Sequence, residues 1–122
     1  MRTYTLTVTE AQARLLSEAA ELLGRLHMGQ FDSLDYLFAG DIPRGLFDAL
    51  KVAMFPELPG GQFYSISNAK LPDKTRVAWD MHAVIRHRLA WDNHPEGGPT
   101  NQFYEPRHLG AEPLAEIREV EA

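Results

Sequence analysis

The sequence predicts an α+β fold, a small antiparallel sheet of three to four short strands packed against three to four helices. Three observations carry that expectation. Residues 2–8 alternate apolar and polar side chains, two long stretches repeat apolar residues at helical spacing, and short β-forming runs lie between turn-rich breaks. At 122 residues, with 44% hydrophobic and 24% charged, the chain reads as a single globular domain over 1–122, with a core that needs no staples.

In Arg2–Val8, Tyr4, Leu6 and Val8 point one way and three threonines the other, the pattern of a half-buried strand. Thr9 and Gln12 form a capping-box pair that opens a helix running to about Met28. Ala11, Leu15, Ala19, Leu22 and Leu26 are its expected core stripe, and Gly29 supplies the left-handed residue that ends it. Ser33–Phe38 reads as a short helix with Asp32 or Ser33 as cap. Asp41 and Pro43 announce another, with Leu46, Phe47, Leu50, Ala53 and Met54 on one side. Gln62–Ser67 is expected to be a strand, as is Gln102–Tyr104, and Leu114–Val120 is expected to pair with the latter.

The segment Asp73–Asp92 is the longest helical pattern. Val77, Met81, Val84, Ile85 and Trp91 share one side at about 100° per residue. Arg88 falls inside that stripe. A buried unpaired guanidinium costs several kcal/mol, so it either pairs with a carboxylate or lines the edge of an anion-binding pocket. Trp79 lies off the stripe with Ala83, Arg86 and Ala90, which calls for a second packing surface, in this chain or another subunit. His94–Asn101, with two glycines and two prolines, is a loop able to cover a ligand.

Composition removes several function classes. Without cysteine there is no disulfide, thiolate zinc site, iron–sulfur cluster or thiol nucleophile. A net charge of −5 argues against general nucleic-acid binding. No leader-like apolar run opens the chain and no stretch is long enough to span a bilayer, so a cytoplasmic protein without membrane partners is expected. His82 and His87 are five residues apart and diverge on a helix. No catalytic motif is present, and neither glycine pair has the setting of a phosphate cradle.

What remains is a concentration of aromatic and cationic groups. Trp79, Arg86, His87, Arg88, Trp91, His94 and Arg107 are the candidate ligand-binding residues, with Phe103, Tyr104 and His108 nearby. No catalytic residue, metal ligand or cofactor is expected among them.

The stretches TEAQARLLSEAAELLGRLHMGQF, from Thr9 to Phe31, and VAWDMHAVIRHRLAWDNHPEGG, from Val77 to Gly98, resemble small accessory proteins of tailed bacteriophages and prophages. The resemblance covers about a third of the chain. It implies a product acting in the bacterial cytoplasm, often against a host enzyme or defence factor, and carries no catalytic role to these positions. The expected function is therefore non-enzymatic. The protein, expected to be a homo-oligomer, would bind a host protein or sequester a small anionic, nucleotide-like ligand. The alternatives are a metal-dependent hydrolase using His87, His94 and Asp92 or Glu96, and a virion assembly protein.

Overall fold

The computed structural model describes residues 1–38 and 40–121. Four helices follow in order: α1 (Glu10–His27), α2 (Ser33–Leu37), α3 (Arg44–Met54) and α4 (Asp73–Asn93), with a single 3-10 turn at Asn101–Phe103. Among the described residues there is no strand, so the α+β expectation and its antiparallel sheet are overturned.

Each expected strand fails for a physical reason. Residues 2–8 form an arm outside any helix or strand, and no ladder forms on it among the described residues. Tyr4 and Leu6 are left 85% and 72% exposed. Alternation favours extended backbone, whereas a sheet needs a partner in register. Residues 62–65 run in irregular backbone and 66–67 turn. The Tyr64 N–H donates to the Met28 carbonyl at 2.9 Å, and its ring packs edge-on against Phe55. Residues 102–104 are taken up by the 3-10 turn and its end. Residues 114–120 do return beside the segment that follows this turn, but without a ladder. Pro106 and Pro113 supply no N–H at the places where pairing would begin.

The helices are close to expectation. Thr9 and Gln12 exchange the two bonds of the capping box, at 2.9 and 3.2 Å. At the other end Gly29 (φ +90°) closes a Schellman motif: Gln30 N–H donates to Arg25 O at 2.9 Å and Gly29 N–H to Leu26 O at 3.1 Å. The expected short helix is α2, one residue shorter, and Asp32 makes no side-chain capping bond. α3 begins after Pro43 and ends at Met54, before Phe55-Pro56.

α1 and α4 run antiparallel and form the centre of the molecule. Asn93 donates to Glu10 at one end of the seam (3.1 Å), Ser17 meets His82 in the middle, and His27 meets Thr75 at the other end. The face α1 presents is its small one: Ala13, Ser17 and Gly24 are buried, whereas Leu15 and Leu23 of the expected core stripe and its flank are 63% and 41% exposed. A Cβ on Gly24 would lie 2.8 Å from the Trp79 ring, so the missing side chain is the notch that receives the indole. Its far side carries the Arg25 guanidinium, 5.4 Å from the ring centroid.

α4 is covered on its opposite side by the C-terminal segment. Asp80, 4% exposed, accepts the Leu109 N–H on both carboxylate oxygens at 3.0 Å and the Gly110 N–H at 2.8 Å. Two turns earlier Asp73 accepts the Ala111 N–H at 2.9 Å. Gly110 rests directly on the helix, since a Cβ there would stand 2.8 Å from the Val77 nitrogen. A smaller cluster under α2 joins Met28, Phe31, Phe55 and Tyr64, with Phe31 and Phe55 ring centroids 5.8 Å apart. α3 makes no contact with another helix among the described residues; Lys51 ties it to the carbonyls of Gly60 and Gln62.

Gly24→Ala separates propensity from packing. In a free helix the change stabilises by about 1 kcal/mol. Here overpacking against Trp79 costs about 1–3 kcal/mol, so a net loss is expected in urea denaturation, and a gain would contradict the notch.

Candidate functional site

The two sides of α4 decide where the candidate residues go. On the α1 side lie Thr75, Trp79, His82, Arg86 and Ala90; on the C-terminal side lie Val77, Asp80, Val84, His87, Arg88 and Trp91, an arrangement set by 3.6 residues per turn. The seven candidates are therefore not one site.

Trp79 belongs to the helix seam, held in the notch at Gly24 and edge-on to His82 at 5.4 Å. It is the second packing surface that its off-stripe position called for, supplied by this chain. Arg86 and His94 line a polar crevice of about 400 Å³ at the end of that seam, with Arg14, Glu18, Glu21 and Asn93. Arg86 Nε lies buried there without a hydrogen bond. The crevice carries acids as well as bases, so it has no pronounced preference for an anion.

His87, Arg88 and Trp91 share the other side. The Arg88 Nε donates to Asp92, 3.0 Å from one carboxylate oxygen and 3.1 Å from the other, in an i, i+4 pair about one-third exposed. Of the two readings of this arginine, pairing with a carboxylate is the one that the geometry realises. His87 Nδ1 is 3.2 Å from the Gln102 carbonyl oxygen, and its Nε2 is 3.8 Å from the exposed Glu105. Trp91 donates its indole N–H to Phe103 O at 3.1 Å, with the two rings edge-to-face at 5.4 Å. The loop after α4 folds onto this pair: a Cβ on Gly97 (φ +77°) would be 2.9 Å from the Trp91 ring, and one on Gly98 would be 2.7 Å from the Phe103 ring. That loop is packing, not an open lid. Arg107 is exposed on the segment between Pro106 and His108.

Between α4 and the returning chain lies a groove of about 440 Å³ lined by Val84, Trp91, Pro106, Leu114, Ala115 and Ile117, with His87, Arg88, Glu105 and Glu116 on it as polar groups. Its floor is apolar and its charges are mixed.

No three His, Asp or Glu side chains gather into a metal-holding position among the described residues. The groups named for a hydrolase are dispersed: Asp92 holds Arg88, His94 faces Glu96 at 3.7 Å, and His87 faces a carbonyl. Among the described residues, hydroxyl–imidazole pairs at hydrogen-bond distance occur in the helix seam, His27 with Thr75 at 2.6 Å and Ser17 with His82. Ser17 Oγ lies 2.8 Å from His82 Nδ1, and the hydroxyl also donates to the His82 carbonyl at 3.3 Å. Both side chains are buried between two helices, so the pair locks the seam and presents no attacking oxygen.

Sequence reasoning missed Ser17, His82 and Asp80 as structural polar groups. Asp80 had a signal, because it occupies the same side of α4 as Val77 and Val84, as conspicuous an intruder as Arg88. Ser17 and His82 had none, since recognising them requires knowing which faces meet. Arg76 does not pair with Asp80, the acid one turn on. Arg76 pairs with Asp73 at 3.3 Å and donates to the carbonyls of Asn68 and Leu71, binding the preceding turn.

Comparison with protein-family models, curated proteins and solved structures found no match. No helix among the described residues is long and apolar enough to cross a membrane.

Burial lowers the His82 pKa below 6.5. Arg86 and Arg25 push the same way, against Glu21, 3.6 Å from Nε2, and Ser17. His27 is lowered too, by burial and then by Lys74. A histidine whose folded pKa lies below the unfolded one binds protons preferentially in the unfolded chain. Stability is therefore expected to fall as pH drops through about 6.5 and to level off below the folded value. In thermal melts from pH 8 to 5, His82→Gln should flatten this slope and leave the His27 share; an unchanged slope would remove His82 as its source.

Asp80→Asn removes the charge that holds the Leu109 and Gly110 amides. A loss of about 1–3 kcal/mol is expected, with cleavage after Arg107 by trypsin accelerated relative to the wild type. Equal cleavage rates would show that the segment is held by other contacts.

Proposed function

We propose that this protein is a non-enzymatic accessory protein that acts by binding a protein partner through the groove between α4 and residues 105–117. The observation that carries this reading is the state of the cationic and aromatic groups. Arg88 is neutralised by Asp92, Trp79 is seated in the helix seam, and what the groove offers is an apolar floor beside the part-exposed Trp91 ring with balanced charges. A floor of Val84, Leu114 and Ile117 beside the Trp91 ring suits an apolar anchor side chain of another protein, with the polar groups setting orientation. An anionic small molecule would meet Glu105, Glu116 and Asp92 together with Arg88. Of the two ligands expected from sequence, the protein partner is therefore favoured over the nucleotide-like one. The resemblance to bacteriophage accessory proteins supplies the class of partner, a bacterial host or defence factor, and the site of action, the host cytoplasm.

A photo-crosslinking residue at Ala115, inside the groove, is expected to capture one bacterial protein that the same residue at Leu46 on α3 does not. Binding of that purified protein should weaken at least tenfold in Ile117→Glu, read by isothermal titration. Crosslinking that is equal at the two positions would defeat the groove. A thermal shift with nucleotides or cyclic nucleotides, equivalent to about 2.7 kcal/mol at one hundred times the dissociation constant, would return the reading to a small anionic ligand.

A further inference from the structure

The polar crevice at the end of the helix seam lies across α4 from the groove and is independent of it. Its volume is about 400 Å³, and its two walls carry opposite charges that are not spent on each other. α1 contributes Glu18 and Glu21, and α4 contributes Arg86. Arg86 makes no hydrogen bond or ion pair among the described residues, although its Nε is buried. Glu18 makes none either. Glu21 commits only Oε2, to Arg25 at 3.1 Å, and its other carboxylate oxygen accepts nothing among the described residues. The second arginine on the crevice, Arg14, is already held by Glu10 at 3.7 Å. A half-buried guanidinium without an acceptor is costly, and acids lining the same space would relieve it if they were in reach. They are not, so the gap between the walls is left for a molecule that touches both.

We propose that this crevice is a binding site for a small dipolar molecule, a free α-amino acid, held with its ammonium group toward the α1 wall and its carboxylate toward Arg86. A simple anion would sit beside Glu18 and Glu21, and a simple cation beside Arg86. A ligand with both charges is the one that opposes each wall with its complement. The guanidinium fork matches a carboxylate, and its terminal nitrogens have no other acceptor. The neutral groups serve the same two ends. Asn93 has spent its N–H groups on Glu10 and on the Leu89 carbonyl, so its side chain offers only an acceptor, suited to an ammonium group. The side-chain amide of Gln102 is uncommitted among the described residues and can donate to a carboxylate. Leu89 supplies an apolar part of the wall for an aliphatic stem. The volume falls near the small end of the range for small-molecule sites, about 300–1,000 Å³, which suits a single amino acid.

Titration of the full chain with each proteinogenic L-amino acid, followed by amide and side-chain NMR spectra, tests the site. At least one amino acid is expected to saturate with a dissociation constant on the order of 0.1–1 mM. Its shifts should centre on Glu18, Arg86 and Gln102 and leave Leu114 and Ile117 of the groove unmoved. Two derivatives of the same amino acid separate the ends. The N-acetyl form has no ammonium group and the carboxamide form has no carboxylate, and each is expected to bind at least tenfold more weakly. Glu18→Gln and Arg86→Gln should each cost at least tenfold for the free amino acid. Glu18→Gln should also abolish the preference over the N-acetyl form, which a merely structural role would not do. If either variant fails to fold, the two derivatives decide on the unmodified chain. No saturable shift at these residues with any amino acid up to about 10 mM would overturn the proposal. Equal binding of the N-acetyl form would reduce the site to one for anions, equal binding of the carboxamide would reduce it to one for cations, and either result would overturn it too.

Discussion

The approach of α1 to α4 is the constraint from which the rest of the molecule follows. An indole seated in the notch left by Gly24 brings the two helices together along their small and polar sides. Ser17, His82, His27 and Thr75 then find partners across the seam, which offsets part of the cost of burying them, while His82 Nε2 is left without a hydrogen bond. Using that face for packing has a geometric corollary. The leucines of α1 are carried to the outside, because a helix that docks with one side must show the other.

α4 depends on the same logic, since it is covered twice. α1 occupies one side and the segment after the 3-10 turn occupies the other, which is why its apolar residues do not collect into one stripe. A carboxylate buried against α4 would be costly on its own. Asp80 is tolerated because backbone amides of Leu109 and Gly110 satisfy it, and the same bonds hold the tail in place. The polar groups of the interior thus act mainly as fasteners between elements.

What could be read from the residues was local. Caps and stops were legible in part: Thr9 with Gln12 and Gly29 act through neighbours a few positions away, whereas Asp32 makes no capping bond and Pro43 stands where Asp41 was expected to cap. Strand pairing was not legible, because the extended preference of residues 2–8 and 114–120 says nothing about whether a second strand lies alongside. Arg88 was rightly singled out as needing a partner, but the partner sits one turn away, and an i, i+4 acid is the commonest remedy. Trp79 was correctly read as marking a second packing surface, which α1 supplies. The seven candidate residues looked like one site because they are close in sequence, yet successive residues of a helix point about 100° apart. Proximity along the chain separated them in space.

The tail along α4 also has a length consequence. From Trp91, met by Phe103, back to Asp73, met by Ala111, the helix rises about 27 Å at 1.5 Å per residue. The eight steps from Phe103 to Ala111 reach about 26–29 Å when fully drawn out. The segment is therefore drawn out along most of the helix, with the Trp91 and Asp73 side chains reaching out to meet it. A chain several residues shorter between those two anchors would have to let go of one of them.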